Sequence, residues 1–281
     1  SHDIRTPMNA IIGMTAIAAA NIDDENRVKD CLGKITTSSK HLLGIINEVL
    51  DMSKIEAGKF DLNHEAFDLA ELIDNLILMS RPQIELKGHS LEVDIHDIEH
   101  EHVIGDAQRI EQVFMNLMSN AIKYTPDGGA VRLSITEKPT HTPTTGCFEF
   151  VFEDNGIGMA PEFVERLFEP FARAESELVA SQQGTGLGMS ITKNIVSMMN
   201  GTIDVDSAPG KGTKFAVTIF LELQERKAGL SEKVLADLPV LVADDDKIVL
   251  DSVCQILDDL GMKPDGALYV RQALYMVIEK H

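Results

Sequence analysis

Apolar residues recur at helical spacing through the first part of the chain, in residues 1–20 and about 26–56, with a polar break between them. The alternating steps of three and four residues are typical of helices that pack along a narrow seam. The second stripe consists of Val28, Leu32, Ile35, Ser39, Leu42, Ile46 and Val49. The pattern predicts an all-α helical hairpin over residues 1–58.

Such a hairpin cannot bury both of its apolar faces alone. Pairing with a second copy into a four-helix bundle would cover them, so we expect a homodimer through the hairpin. The alternative is a hairpin that packs on the remainder of its own chain.

Strand and helix patterns then alternate over residues 59–223. Strands are expected at about 60–67, 90–96, 130–136 and 147–154 and in a strand–turn–strand hairpin after 200, and helices at 68–87, 106–124 and 187–200. Together they predict an α+β two-layer sandwich, a mixed sheet with helices on one face.

The last part of the chain begins with a polar, linker-like stretch at 224–238. A buried-type strand and a helix follow, which predicts an incomplete α/β, flavodoxin-like fragment over 239–281. Because so short a piece rarely builds a stable core, we expect it to fold poorly or to use a partner surface.

Charge and cysteine content narrow the range of functions. The chain carries 45 acidic and 25 basic residues, so its net charge of −20 argues against nucleic acid or an anionic membrane as the main partner. Its three cysteines are far apart in sequence, which favours a reducing compartment and argues against a disulfide framework. With neither an initiator methionine nor a signal peptide, the sequence looks like a piece of a longer protein.

Three stretches carry candidate chemistry. Asn116, Asn120 and Lys123 lie on one strip of a predicted helix, where amide oxygens and an ammonium suit Mg²⁺ and phosphate. In "FVFEDNGIGM" (150–159), a strand ends in Asp154 beside two glycines, and a carboxylate there can accept a hydrogen bond from an amine. "QQGTGLGMSITKNIV" (182–196) enters a helix through alternating glycines, as anion sites do. Taken singly, a solvated helix face, a plain turn and a flexible loop explain them equally well.

The order and spacing of these stretches resemble the histidine kinase catalytic domain. Together with "LFEPFARAE" (167–175) and "GKGTKF" (210–215), they are similar to its N, G1, F, G2 and G3 boxes. The resemblance implies the Bergerat ATP-binding fold, shared with gyrase and mismatch-repair ATPases, and ATP and Mg²⁺ as cofactors.

The resemblance also implies roles for individual residues. Asn120 would be the main Mg²⁺ ligand with Asn116 assisting, and Asp154 would contact adenine. The other residues expected to bind the nucleotide are Lys123, Tyr124, Gly156, Gly158, Arg173, Gly184, Thr185, Gly186, Leu187, Gly188 and Thr213.

"SHDIRTPMNAIIG" at the start of the chain resembles the H box of the same family. His2 would be the phospho-acceptor, Asp3 the adjacent base, and Thr6 the hydroxyl that orients water for dephosphorylation of the partner. Pro7 removes one backbone hydrogen bond, which predicts a kink beside the reactive ring.

"LPVLVADDDKIVL" (238–250) resembles the first strand and acidic pocket of a response-regulator receiver. Asp244 and Asp245 best match its Mg²⁺-holding pair, which leaves Asp246 as the helix N-cap. The phospho-acceptor aspartate belongs on a third strand that this sequence does not contain, so we expect no relay to its own receiver.

The resemblance therefore implies the kinase core of a hybrid sensor: ATP-dependent phosphorylation of His2, then transfer to a receiver aspartate on a partner. Two alternatives stay open, a phosphatase-dominant or scaffold module and a Bergerat-type ATPase clamp that forms no covalent product. The expected location is cytoplasmic, in one form as the cytoplasmic part of a membrane-anchored sensor.

Overall fold

A computed structural model of the chain describes residues 2–140, 142–173, 185–224, 238–244, 246–259, 261–269 and 273, apart from the side chains of residues 2, 248, 251 and 259. The chain divides into two compact units, residues 1–224 and 225–281. Each is described by itself.

The first unit opens with the expected helical hairpin, made of α1 (His2–Ala20) and α2 (Glu25–Glu56). Asp24 caps α2, since its side chain accepts a hydrogen bond from the Arg27 amide at 3.1 Å. Many large apolar side chains of the hairpin are exposed in the single chain, among them Ile4, Met8, Ile12, Leu32, Leu43, Ile46, Val49 and Leu50. Among the described residues, the hairpin thus keeps an apolar face that is exposed to solvent.

The remainder of the first unit alternates strands and helices. Its strands are β1 (Glu65–Asp68), β2 (Ser90–His96), β3 (His102–Gly105), β4 (Ala130–Lys138), β5 (Thr145–Asp154), β6 (Thr202–Ser207) and β7 (Thr213–Leu223). Its helices are α3 (Leu69–Lys87), α4 (Ala107–Tyr124), the short α5 (Pro161–Val164) and α6 (Gly188–Met198).

These strands form one mixed sheet in the order β1-β3-β7-β5-β4-β2, and β6 also pairs with β7. Only β2 and β4 run parallel among the described pairs of this sheet. Because β5 and β7 pair from Thr145↔Glu222 to Asp154↔Thr213, the last residue of β5 lies beside the first residue of β7.

The core lies between the sheet and its helices. Alternate residues of β5 point to one face, so Phe148, Phe150 and Phe152 are all buried there. The ring of Phe114 on α4 packs on them, with its centroid 4.4 Å from that of Phe150. This packing confirms the expected α+β sandwich and holds α4 against the strand that ends in Asp154.

Three details differ from the sequence-based expectation. The structure adds β3 and α5, which are only four residues long and too short to show a period. The first strand begins at Glu65, not near residue 60. Phe60 is buried instead beneath Arg109, whose guanidinium carbon lies 4.4 Å from the ring centroid. Phe60 belongs to the apolar core although it lies outside any strand, and Arg109 adds a cation–π contact.

The second unit contains β8 (Pro239–Ala243), α7 (Lys247–Asp259) and β9 (Lys263–Ala267), in which β8 and β9 pair in parallel. Parallel strands joined by a helix form a βαβ unit. Asp246 precedes α7, and its side chain accepts a hydrogen bond from the Val249 amide at 3.4 Å, as an N-cap does.

Candidate active site

The polar strip of α4, formed by Asn116, Asn120 and Lys123, faces the start of α6. The side-chain amides of Asn116 and Asn120 both donate to the Met189 sulfur, at 3.6 and 3.5 Å, and Asn116 also donates to the Thr192 hydroxyl at 2.8 Å. The two asparagines therefore share one surface. Since their amide nitrogens are directed to α6, their carbonyl oxygens are available as acceptors or metal ligands.

Gly188, the first residue of α6, permits this close approach. A β-carbon on Gly188 would lie 2.6 Å from the Asn116 side-chain oxygen, so a larger residue would push α6 away. The amides of a helix N-terminus bind anions, and here they lie next to the Asn116 side-chain oxygen. The pair of elements can thus hold an anion together with a hard cation.

Asp154 ends β5 in a buried position. One of its oxygens accepts a hydrogen bond from the Gly156 amide at 2.8 Å. Burial raises the pKa of Asp154, and nearby donors, among them the backbone of Gly156 and Thr213, offset part of that rise. The Thr125 hydroxyl is buried beside this carboxylate and also lowers the pKa of Asp154.

Two glycines let the chain fold closely around Asp154. Gly158 and Gly212 have positive φ angles of 64° and 81°. A β-carbon on Gly158 would lie 1.9 Å from the Ala208 carbonyl oxygen, and one on Gly212 would lie 1.8 Å from that of Asp154. Ser207 ties the corner together through hydrogen bonds to the Gly212 carbonyl and the Thr213 hydroxyl, each 2.9 Å long.

The C-terminal end of α4 is fixed by a lysine from α3. The ammonium of Lys87 donates to the carbonyl oxygens of Ile122, Lys123 and Thr125 at 2.9, 3.0 and 2.9 Å. A cation at this end also complements the helix dipole. Beyond it, the Lys123 ammonium lies 4.8 Å from the centroid of the Tyr124 ring. The Tyr124 carbonyl also accepts a hydrogen bond from the Ile157 amide at 3.2 Å, which joins this end of α4 to the turn that follows Asp154.

Helix α1 contacts the α+β part of the first unit through Asp3. A guanidinium nitrogen of Arg173 lies 3.9 Å from an Asp3 oxygen, so a predicted site residue after α5 meets one on α1. Thr6 is exposed on α1, four residues beyond His2. The side chain of His2 lies outside the described residues.

Polar contacts that α2 makes with α4 and with the segment before α6 were not predicted from the sequence. Asp51 accepts hydrogen bonds from Arg109 at 2.8 Å and from Gln112 at 3.0 Å. Glu48 accepts one from the Thr185 hydroxyl, and burial raises its pKa. These pairs join residues 58 to 137 positions apart, and no local pattern marks partners so distant.

Of the other predicted site residues, some are described and some are not. Gly184 and Asp245 lie outside the described residues. Gly186 has a φ of 74° and its carbonyl accepts a hydrogen bond from the Phe171 amide, which brings the segment before α6 against the one that carries Arg173. Asp244 accepts a hydrogen bond from the Asp246 amide at 2.8 Å. No three acidic, histidine or cysteine side chains within the described ranges are arranged to bind a metal ion.

Comparison with known families matches both parts of the first unit. Residues 1–58 match the family "His Kinase A (phospho-acceptor) domain", and residues 105–225 match "Histidine kinase-, DNA gyrase B-, and HSP90-like ATPase". The chain belongs to the histidine kinases. The family and the fold expected from the boxes are thereby confirmed for the hairpin and the sandwich.

Individual relatives agree with this assignment. The chain is 34% identical over 264 residues to the sensor histidine kinase GacS of Pseudomonas protegens, covering 94% of this histidine kinase chain and 28% of GacS. It is 34% identical over 226 residues to the autoinducer 2 sensor kinase/phosphatase LuxQ of Vibrio parahaemolyticus, covering 80% of the chain and 26% of LuxQ. The chain thus spans about a quarter of the length of these curated relatives.

A solved structure shows the same fold. Full-length ShkA, crystallised with AMPPNP, superposes with a TM-score of 0.60 at 23% identity, covering 98% of this chain and 55% of ShkA.

None of the helices in the described ranges combines the length and hydrophobicity that crossing a membrane requires.

Proposed function

We propose that this chain is an ATP-dependent protein histidine kinase core of a two-component system, with His2 as the acceptor. The observation that carries the proposal is the arrangement of the first unit. The polar strip of α4 packs on the start of α6, and the turn after the buried Asp154 bonds to the end of α4 through the Ile157 amide and the Tyr124 carbonyl. Arg173 meets Asp3, the neighbour of His2, at 3.9 Å.

Nucleotide binding follows from the chemistry of these groups. The ionised Asp154 accepts a hydrogen bond from the exocyclic amine of adenine through the oxygen that Gly156 does not use. The phosphates lie at the amides that open α6, where the helix dipole favours negative charge. By the family resemblance, Lys123 would neighbour the phosphates and Tyr124 the base.

The side-chain oxygens of Asn120 and Asn116 suit a magnesium ion, because neutral amide oxygens are hard ligands and their nitrogens are already engaged with α6. Mg²⁺ bound there would offset the negative charge of the phosphates. With a net charge of −20 on the chain, such compensation matters for binding a triphosphate.

Phosphoryl transfer requires a neutral imidazole at His2, which is the main form near neutral pH for an unperturbed histidine. One ring nitrogen attacks the terminal phosphorus, the bond from that phosphorus to the bridging oxygen breaks, and ADP leaves. The proton on the other ring nitrogen is held or accepted by Asp3. Arg173 is positioned to neutralise charge between Asp3 and the terminal phosphate.

The test is incubation with γ-labelled ATP and Mg²⁺. We expect an acid-labile, base-stable label on the protein, its loss in His2→Gln with nucleotide affinity retained, and its loss together with affinity in Asn120→Asp. Persistent label in His2→Gln would place the acceptor elsewhere. Release of free phosphate without any label would favour the ATPase clamp.

A receiver aspartate on a response regulator is the proposed destination of the phosphoryl group, and a second copy of the hairpin is the proposed dimer partner. The βαβ unit of residues 239–267 supports a receiver fragment, with Asp244 and Asp245 as its proposed Mg²⁺ pair.

A phosphatase activity is the second candidate, favoured by the exposed position of Thr6 one turn beyond His2 and by the kinase/phosphatase description of LuxQ. The measurement is loss of label from a phosphorylated receiver. Thr6→Ala should slow that loss while leaving labelling of His2 in place.

A further inference from the structure

Glu48 lies on α2, in the hairpin, but its carboxylate accepts a hydrogen bond from Thr185, in the segment that leads into α6. Asp51, three residues further along α2, accepts hydrogen bonds from Arg109 and Gln112 in the first two turns of α4. The hairpin is therefore attached to both elements that border the proposed phosphate site.

The Glu48 carboxylate also lines a cavity of about 260 Å³, together with Asn116, Gly188 and Thr192. Asn116 belongs to the polar strip of α4, and Gly188 and Thr192 belong to the N-terminal part of α6. On the proposed function, this cavity is the phosphate end of the nucleotide site. A carboxylate here increases the negative charge in the place where the nucleotide brings its own.

Thr185 has a single hydroxyl proton, and in this structure it goes to Glu48. The Thr185 oxygen meanwhile accepts a hydrogen bond from the Leu187 amide at 3.1 Å. A phosphate at the α6 N-terminus would be a competing acceptor for the same hydroxyl. Glu48 and the phosphate thus share one donor, and like charges at short range repel.

We propose that Glu48 is a positioning residue that limits nucleotide affinity: its carboxylate holds Thr185 and keeps the hairpin docked at the phosphate end, so that docking and nucleotide binding oppose each other. The inference rests on the proposed function and deepens it. Since such coupling is reciprocal, nucleotide should release α2 to the same degree that docking weakens nucleotide binding.

Two variants remove the charge, one with an acceptor for Thr185 kept and one without it. Glu48→Gln removes the charge and keeps an acceptor oxygen, and Glu48→Ala removes both. Glu56→Gln is the matched control, because Glu56 is the exposed last residue of the same helix. The measurement is the Kd of AMPPNP with Mg²⁺ on the full chain, at low and high salt, with the unfolding midpoint of each variant recorded.

We expect both Glu48 variants to bind AMPPNP about three- to tenfold more tightly than the parent, a change of the size expected when one nearby like charge is removed. The gain should shrink at high salt, and Glu56→Gln should match the parent. A residue with a merely structural role would lower the unfolding midpoint and weaken binding instead.

Parent-like or weaker binding in both Glu48 variants would overturn the inference, and a loss seen only with Mg²⁺ would make Glu48 a metal ligand instead. If the parent itself binds no AMPPNP, the proposed function fails first.

A second readout follows docking directly. In hydrogen exchange, AMPPNP should raise the exchange of the α2 amides around residues 45–52 in the parent. In Glu48→Ala, those amides should already exchange quickly without nucleotide. No change on nucleotide addition to the parent would contradict the proposed opposition.

Discussion

The proposed adenine contact requires the ionised form of Asp154, which burial disfavours. Burial raises its pKa, so the native state retains its proton to higher pH than the unfolded chain does. The unfolding free energy therefore falls as pH rises between the ordinary aspartate pKa and the raised one, because the native state binds more protons in that interval. A hydrogen bond from adenine needs the ionised form. Keeping this carboxylate buried therefore lowers the unfolding free energy at the pH where nucleotide binds.

Asp154→Asn should separate these two effects. Asparagine has one acceptor oxygen, and the Gly156 amide already uses the corresponding position, so its amide hydrogens would face the adenine amine. We expect nucleotide affinity to fall at least about tenfold while the unfolding midpoint at pH 7 changes little, because removal of the buried charge offsets the weakened hydrogen bonding from Thr213.

The checks are nucleotide titration and thermal unfolding on the same preparation. In the parent, nucleotide affinity should also decline as pH falls through the raised pKa of Asp154. Unchanged affinity in Asp154→Asn would mean that the base binds elsewhere.

The site residues that stand in sequence motifs could be predicted from the sequence. Asn116, Asn120 and Asp154 stand in short stretches whose order along the chain is informative, and the structure brings both asparagines to one surface. Glu48 was not predictable, since its partner Thr185 lies 137 residues away and a glutamate on an exposed-looking helix is common. Thr125 was missed because a buried hydroxyl is recognisable only once its neighbours are known.

At the scale of elements, the corner made by residues 154–158 and 207–213 depends on two backbones in close contact. Gly212→Ala would bring a β-carbon to 1.8 Å from the Asp154 carbonyl oxygen and would also strain a φ of 81°. We expect a loss of about 2–4 kcal/mol in unfolding free energy, together with loss of nucleotide binding, measured by urea unfolding and titration.

Gly210→Ala is the matched control, since its φ of 72° carries the same strain but no atom lies within 4 Å of its β-carbon position. It should cost only about 1–2 kcal/mol and leave binding intact. Equal losses in the two variants would show that backbone strain matters and that the close approach does not.

Long periodic elements were predictable from the sequence, and short ones were not. Helices α3 and α4 and strand β2 fall where their patterns place them, because a buried face repeats several times along each. β3 has four residues and pairs with the far end of β7 at Val103↔Leu223, so its strand conformation comes from a partner distant in sequence.

At the scale of the whole molecule, the exposed apolar face of the hairpin calls for a partner. Ile46 is 39% exposed in the single chain, on the stripe predicted to be the dimer seam. Ile46→Glu should shift the chain from dimer to monomer in light scattering, since burying an unpaired carboxylate in a bundle core is costly.

Leu86→Glu is the control, because Leu86 is 87% exposed on α3, away from the hairpin. It should leave the dimer intact. A monomeric parent would contradict the four-helix bundle and favour a hairpin that packs on its own chain. A dimer that persists in Ile46→Glu would place the dimer contact on another surface.

The location of the transferred phosphoryl group tests the central claim most directly. The chain is incubated with Mg²⁺ and ATP, digested without acid, and its peptides are analysed by mass spectrometry. The account predicts one phosphoryl group on the imidazole of His2 in the parent and none in Asn120→Asp. A phosphoryl group on another residue, or an unmodified His2 peptide despite ATP consumption, would contradict it.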